Sequence, residues 1–144
     1  MYNLASINIF TDGGSRGNPG EASLGVYVEG EDGKEIKSIG KRLGIATNNI
    51  AEYSAIKEAL DWLFKNLNKF NKLERVNFFM DSNLAVSQLN GIYKIKNANL
   101  REIFFEIKML ESQIKVPIKY THVPRERNKK ADRLVNLALD NKLD

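Results

Sequence analysis

The sequence predicts an α/β fold in which a mixed β-sheet is flanked by helices. Three β-rich segments follow one another in the first third of the chain, and helical periodicity then alternates with short apolar strands. The resulting order, βββαβααβα, suits a sheet covered by helices. The 144 residues are near the common size of one domain and contain no repeat, linker or low-complexity segment. We therefore expect a single domain spanning residues 1–144.

The first three strands are predicted to form an antiparallel meander. The first covers residues 7–10 and ends at Asp12-Gly13-Gly14, and the second covers residues 24–28. The glycine-rich segment between them is predicted to be a turn that is long for a hairpin. A tighter turn at residues 31–33 leads to a third strand over residues 35–43.

Helices and strands alternate in the rest of the chain. Amphipathic helices are predicted from residue 50 to about residue 67, over residues 82–89 and over residues 100–114. Strands are predicted over residues 76–80 and 116–123, and Asn128 is expected to cap a final helix. The apolar faces consist of Ala55, Ile56, Ala59, Leu60, Leu63 and Phe64, then Ile103, Phe104, Ile107 and Leu110, and finally Ala131, Leu134, Val135 and Ala138.

Composition excludes several kinds of site. The chain has no cysteine, which excludes disulfides, thiolate metal sites and cysteine nucleophiles, and a cytoplasmic location is expected. Neither the N-terminus nor any later segment predicts a targeting peptide or a membrane span. The net charge is +4, from 22 Lys and Arg against 18 Asp and Glu, which favours a polyanionic partner.

Four acidic residues stand where predicted strands and helices meet: Asp12, Glu52, Asp81 and Asp132. Each has a purely structural explanation. Asp12 before two glycines suits a turn, and Glu52 lies three residues after Asn49 in a capping-box pattern. Asp81 is suited to cap the following helix, and the helix dipole stabilises a negative charge in a first turn, as at Asp132.

Together, the four acids indicate a metal site. Glu52 shares a helical face with core residues, so its carboxylate needs a partner. All four acids fall at strand ends or helix starts, where ligand sites gather in sheet-based folds. Carboxylates collected in one place need a cation, and an all-oxygen set suits Mg²⁺ or Mn²⁺. The pattern therefore predicts a metal-dependent phosphoryl-transfer enzyme.

Four motifs, TDGGSRGNPG, TNNIAEYSA, MDSNLAV and VPRERNKKADRL, occur in this order along nearly the whole chain. In sequence and separation they closely resemble the successive motifs of type 1 ribonucleases H. The resemblance implies a ribonuclease H-like fold, with a five-stranded mixed sheet flanked by helices. It also implies Mg²⁺-dependent endonucleolytic cleavage of the RNA strand of RNA–DNA hybrids, leaving 3′-hydroxyl and 5′-phosphate ends, with Mn²⁺ as a substitute ion.

The acids have expected roles in such an enzyme. Two metal ions would clamp the scissile phosphate, one activating water for in-line attack and the other stabilising the leaving oxygen. Asp12 would bridge the ions, Glu52 and Asp81 would hold one, and Asp132 would complete the other.

The loop before Asp132 departs from a common family pattern. Many members carry a catalytic-loop His in a Gly-His-rich segment, whereas this chain has the shorter VPRERN. Arg125 matches shorter-loop relatives with Arg at this place, and we expect it to assist product or metal release or to contact phosphate. A solvated loop charge is the alternative. His122 falls at a strand end, where a structural or surface role is expected.

Polar residues near the acids are predicted to contact the shallow minor groove of the hybrid, where 2′-hydroxyls are exposed. They are Ser15, Arg16, Gly17 and Asn18 on the glycine-rich loop, Thr47, Asn48 and Asn49 before the helix that bears Glu52, and Asn83 after Asp81. The family positions that match the second group bind the nucleic-acid backbone, and a helix N-terminus suits a phosphate. Turn formation and helix capping are the alternatives.

Other functions remain open at this stage. Another nuclease or a transposase of the same fold would share the metals but cut a different nucleic acid. A catalytically silent hybrid-binding module is a second alternative, against which the presence of all four acids argues. Double-stranded RNA is a possible additional substrate because it shares the A-like shape and 2′-hydroxyls of a hybrid. We expect a monomer with no membrane partner.

Overall fold

The computed structural model describes residues 1–91 and 94–143 of the chain. Its strands are β1 Ser6–Gly17, β2 Gly20–Gly30, β3 Glu35–Ala46, β4 Arg75–Met80 and β5 Ile118–His122. They form a five-stranded sheet in the order β3-β2-β1-β4-β5. β2 is antiparallel to both β1 and β3, whereas β4 is parallel to both β1 and β5.

Four helices accompany the sheet in the described part of the chain. They are α1 Asn48–Asn66, α2 Asn83–Leu89, α3 Ala98–Ile114 and α4 Lys129–Leu139, with short 3₁₀ helices at Leu67–Lys69 and Arg125–Arg127. This order confirms the predicted mixed sheet flanked by helices. None of the described helices is long and apolar enough to cross a membrane.

The glycine-rich segment after Asp12 is a strand, so the predicted long turn is wrong. β1 continues to Gly17, which pairs with Gly20 across the two-residue turn Asn18-Pro19. Gly17 has a φ of +102°, a conformation that glycine adopts without a steric penalty. The prediction failed because glycine is normally depleted in strands.

The two faces of the sheet differ in chemistry. One face carries side chains such as Ile7, Ile9 and Phe78, which are fully buried in the core that α1 and α3 help to form. Because successive strand residues point to opposite faces, Phe10 and Asp12 lie on the other face. α4 packs over this second face along β1, β2 and β3.

Two glycines allow helices to approach the sheet closely. A Cβ at Gly13 would overlap the backbone of Ala51 and Glu52 in α1. A Cβ at Gly25 would overlap the carbonyl oxygen of Ala131 in α4. The helices that carry Glu52 and Asp132 therefore pack directly against the backbone of the strands.

Asn128 occupies the predicted N-cap position of α4, but its side chain does not cap the helix. Its Nδ2 instead donates to the carbonyl of Thr11 at 2.9 Å. The residue is 1% exposed, so this bond is buried. The side chain therefore ties the start of α4 to β1, immediately before Asp12.

Candidate active site

Two of the four acids come from neighbouring parallel strands. β1 and β4 pair with Phe10 opposite Phe79, so Asp12 and Asp81 each stand two residues further along, on the same face. Asp81 is not a helix cap, because the hydroxyl of Ser82 accepts the capping hydrogen bond of α2. The strand register alone brings these two carboxylates together.

Glu52 reaches the same edge of the sheet from α1. The cap of this helix is Thr47, whose hydroxyl accepts a hydrogen bond from the amide of Ile50 at 3.2 Å. The capping box between Asn49 and Glu52 is therefore not the device that starts the helix. The contact of α1 with Gly13 places Glu52 beside Asp12, which lies inside β1 and not at the strand end that the sequence predicted.

Asp12, Glu52 and Asp81 form a compact carboxylate cluster. One oxygen from each of the three lies within 4.8 Å of the others. Asp132, in the first turn of α4, is outside this cluster but lines the same cleft. Three acids thus converge on one point and the fourth faces them.

Burial and repulsion hold protons on this cluster. They raise the pKa of Asp12 to about 8, with burial the largest cause, followed by the charges of Asp81 and Asp132. Burial also raises the pKa of Glu52 to about 7, although a hydrogen bond with Ser82 opposes the shift. A divalent cation would relieve the repulsion and displace the protons, so the all-carboxylate donor set fits a hard metal ion.

The carboxylates open into a cleft of about 330 Å³. Its lining is Asp12, Gly13, Gly14, Ser15, Arg16, Asn48, Glu52, Asp81, Arg125, Asp132, Val135, Asn136 and Leu139. Three of the predicted substrate residues, Ser15, Arg16 and Asn48, are among them. The others, Gly17, Asn18, Thr47, Asn49 and Asn83, are not.

Hydrogen bonds join the β1–β2 turn to the start of α1. The amide of Asn48 donates to Oδ1 of Asn18 at 3.1 Å, and the amide of Ser15 donates to Oδ1 of Asn48 at 2.9 Å. Thr47 is occupied as the helix cap. Turn and cap roles, the structural alternatives for Asn18 and Thr47, are therefore observed, and they place Ser15 and Asn48 in the cleft.

Arg16 and Asn83 lie at the margins of this arrangement. Arg16 is paired with Asp140 at 2.6 Å, and its side chain is 52% exposed. Asn83 is the exposed first residue of α2. Of these two predicted contacts, the structure brings only Arg16 to the cleft.

The loop before α4 separates Arg125 from His122. Arg125 begins the 3₁₀ helix Arg125–Arg127 and lines the carboxylate cleft. His122 ends β5, is exposed and does not line the cleft. The geometry therefore favours Arg125 over His122 as a residue of the site.

Comparison with known proteins identifies the family. The family model described as RNase H matches residues 5–140 of the chain. The chain belongs to the RNase H family.

Relatives of this RNase H family member include longer proteins. It is 41% identical over 135 residues to a bifunctional protein of Mycobacterium tuberculosis, covering 93% of this chain and 35% of that protein. It is 36% identical over 134 residues to ribonuclease HI of Halobacterium salinarum, covering 93% of this chain and 64% of that protein. The chain thus spans about a third of the mycobacterial relative and just under two thirds of the Halobacterium one.

Solved structures share the fold. The RNase H1 of Halobacterium salinarum superposes with a TM-score of 0.85 at 34% identity, covering 94% of this chain and 98% of that one. An RNase H1 isolated from compost gives a TM-score of 0.90 at 40% identity, covering 98% of this chain and 100% of that one. Its complex with an RNA/DNA hybrid gives 0.87 at 40% identity, covering 96% and 99%. The predicted type 1 ribonuclease H fold and the assignment to a family of ribonucleases are confirmed.

Two residues of the candidate site were not predicted. Asn136 lines the cleft one helical turn after Asp132, and its Nδ2 donates to the carbonyl of Asp132 at 3.2 Å. The i, i+4 spacing on α4 was the available signal. Ser82, predicted only as the start of a helix, also acts on Glu52, because its side chain lowers the pKa of that carboxyl. Nothing in the sequence pattern pairs these two residues, which are 30 positions apart.

Proposed function

We propose that this RNase H is an endonuclease that hydrolyses the RNA strand of RNA–DNA hybrids with divalent metal ions, leaving 3′-hydroxyl and 5′-phosphate ends. The observation that carries the proposal is the cluster of Asp12, Glu52 and Asp81, whose oxygens lie within 4.8 Å of one another beside Asp132. The hybrid complex of the compost RNase H1, which is 40% identical to this chain, supports a hybrid as the substrate.

The four carboxylates would hold the metal. Mg²⁺ is the ion proposed, with Mn²⁺ as a substitute, because hard cations prefer oxygen ligands. When bound, a pair of such ions supplies activated water for in-line attack and stabilises charge on the leaving oxygen. We assign Asp12 to the position shared by both ions, since three other acids surround it. Glu52 and Asp81 would then hold one ion, and Asp132 would hold the other.

The floor and rim of the cleft would bind the hybrid. Ser15 and Asn48 are fixed against each other by hydrogen bonds, so they present polar groups to the minor groove at low entropic cost. Arg16 supplies a phosphate contact at the rim. Asn18 and Thr47 act by holding the turn and the helix start, and Gly17, Asn49 and Asn83 remain predicted contacts.

Arg125 takes the place of a loop histidine in this proposal, which makes the chain a short-loop type 1 enzyme. Its guanidinium stays protonated and cannot act as a general base. From its position in the cleft it would contact the phosphate or promote release of the product or the metal.

The test is cleavage of one end-labelled oligonucleotide presented as RNA–DNA hybrid, double-stranded RNA, double-stranded DNA and single-stranded RNA, with Mg²⁺. The variant is Asp81→Asn. The control is Asp61→Asn, which removes an acid paired with Lys65 near the far end of α1. We expect cleavage of the hybrid RNA strand by wild type and by the control, with Asp81→Asn inactive but still able to bind the hybrid.

Other results would reassign the protein. Equal cleavage of double-stranded RNA would establish a second substrate class. Preferential cleavage of DNA would overturn the proposed substrate. Binding of the hybrid without cleavage in Mg²⁺ or Mn²⁺ would establish the silent hybrid-binding module instead.

A further inference from the structure

An aromatic pair lies next to the carboxylates on the same face of the sheet. Phe10 and Phe79 each precede an acid of the cluster, Asp12 or Asp81, by two residues, so all four side chains project from one face. The two rings stack with centroids 5.1 Å apart and an angle of 26° between their planes. Both rings are only partly buried.

A cavity of about 220 Å³ opens over Phe10. Its other lining residues are Glu29, Glu126, Arg127, Lys129 and Lys130. The 3₁₀ helix Arg125–Arg127 separates it from the catalytic cleft, since Arg125 lines the cleft and Arg127 lines this cavity. The two spaces are therefore neighbours across a single turn of chain.

The wall of this cavity is basic. Residues 125–133 contain five cations and two acids. Lys130 is engaged, because its Nζ lies 3.0 Å from the hydroxyl of Tyr27 and 4.0 Å from Oε1 of Glu29. Arg127 and Lys129 are exposed and have no carboxylate within 4.0 Å among the described residues. Their charges face solvent beside the aromatic floor.

We propose that this cavity is a second nucleic-acid subsite, which takes a single strand that continues beyond the hybrid. Arg127 and Lys129 bind its phosphates, and a base packs against Phe10. The proposal rests on the proposed function, because the hybrid in the cleft delivers the strand to the cavity.

Size, charge and chemistry favour a single strand over other occupants. The cavity admits a flat base but not a duplex. Cations beside an accessible aromatic ring are the combination by which proteins bind single strands without reading sequence, and Phe10 is partly exposed beside Arg127 and Lys129. The acid Glu29 is offset by Lys130, so Glu126 is the one lining carboxylate without a cation within 4.0 Å among the described residues.

The experiment compares the binding of a blunt RNA–DNA hybrid with that of the same hybrid carrying a ten-nucleotide DNA tail at one end or the other. Fluorescence anisotropy in EDTA measures affinity without cleavage. Base–aromatic stacking contributes about 1–3 kcal/mol per base, so we expect one tail to tighten binding about tenfold. A tail of abasic nucleotides, which keeps the phosphates, should lose most of this gain.

Two double variants test whether the gain in affinity from the tail depends on the cavity. In Arg127→Ala/Lys129→Ala the gain from the tail should fall to about twofold or less, as expected when both phosphate contacts are lost. Lys34→Ala/Lys72→Ala removes the same charge from exposed lysines at the opposite end of β1 and β4, and should keep the full gain. Equal binding of tailed and blunt hybrids by wild type, or an undiminished gain in the Arg127→Ala/Lys129→Ala variant, would overturn the subsite.

Cleavage of the blunt hybrid in Mg²⁺ separates this proposal from the proposed function. Cleavage without any gain from a tail removes the subsite alone. A tail-dependent gain without cleavage removes the catalytic proposal and keeps the binding site.

Discussion

At the scale of single residues, Asp12 carries the strongest electrostatic conflict of the site. Its ordinary pKa is 3.8 and its pKa in the folded protein is about 8. Between these values the unfolded chain has released the proton that the folded chain still holds. The free energy of unfolding of the metal-free protein therefore receives a contribution that falls as pH rises through this window.

Removing the acid should reverse that effect. We expect Asp12→Asn to unfold several degrees above wild type at pH 8 in EDTA, with a smaller difference at pH 5, where Asp12 is protonated in the folded protein. Thermal unfolding followed by circular dichroism measures both. Asp61→Asn is the control and should show no such gain. A wild type that is the more stable protein at pH 8 would contradict this account of Asp12.

Arg125 offers a second test at the residue scale. Hydrogen bonds to charged groups contribute about 1.5–3 kcal/mol, so Arg125→Ala should lower kcat/KM for the hybrid by about tenfold or more. The shape of the pH profile should not change, because a guanidinium does not titrate in this range.

Matched variants make the Arg125 result specific. Arg125→Lys keeps the charge without the planar fork and should recover part of the loss. His122→Ala should stay within about twofold of wild type, because His122 lies outside the cleft. A larger loss in His122→Ala than in Arg125→Ala would restore the histidine as the functional loop residue.

At the scale of elements, the close packing of α1 against Gly13 determines the position of Glu52. A Cβ there would overlap the helix backbone, which cannot rotate away as a side chain can. We expect Gly13→Ala to destabilise the protein by about 1–3 kcal/mol, the usual cost of overpacking. It should also weaken metal binding, because α1 must shift.

The neighbouring glycine is the control for Gly13. A Cβ at Gly14 would meet only Cγ1 of Val135 at 3.6 Å, an ordinary contact. Gly14→Ala should therefore change the free energy of unfolding by less than about 1 kcal/mol. Urea denaturation of both variants gives the comparison, and equal losses would show that α1 is not held by the close approach.

The spacing of apolar residues predicted the order of strands and helices correctly. The boundaries and caps of these elements, predicted from individual residues such as glycine and asparagine, were less accurate. In the described residues, the order of the strands and helices followed from apolar spacing, because burial on one face forces that spacing whatever the neighbouring elements do. The glycine-rich continuation of β1 was not predicted, because it depends on pairing with β2 and on the close approach of α1, which are contacts with distant parts of the chain. Asn128 stands at the predicted cap position but its side chain does not cap the helix, because its Nδ2 donates to the carbonyl of Thr11, 117 positions away, and this bond fixes the side chain in another orientation.

At the scale of the whole molecule, the carboxylates come from β1, α1, α4 and the end of β4, so the site exists only when these parts are assembled. The motifs predicted which acids to examine. Their convergence depended on the β1–β4 register and on the approach of α1, neither of which is visible in one sequence. Metal ions held by the four acids would link all four segments.

Metal binding should accordingly stabilise the entire fold. At a Mg²⁺ concentration ten times its dissociation constant, the gain is about 1.4 kcal/mol. At one fixed Mg²⁺ concentration the gain should be larger at pH 8.5 than at pH 6, because at the lower pH the ion must displace protons from groups with pKa values of about 8 and 7, which raises its dissociation constant. Thermal unfolding with and without Mg²⁺ at both pH values tests this, and a larger gain at pH 6 would count against metal binding by Asp12 and Glu52.

The two faces of the sheet carry different properties of the protein: one face holds the core that stabilises the fold, and the other holds the catalytic candidate Asp12. Selection for stability alone therefore acts differently on the two faces. A library screened only for protease resistance would keep apolar residues at Ile7, Ile9 and Phe78, where burial supplies the stability. The same screen would tolerate or enrich replacements at Asp12, whose charge opposes folding without a cation. If the proposed activity were no longer selected, one substitution at Asp12 would therefore remove it and at the same time raise the stability of the metal-free protein.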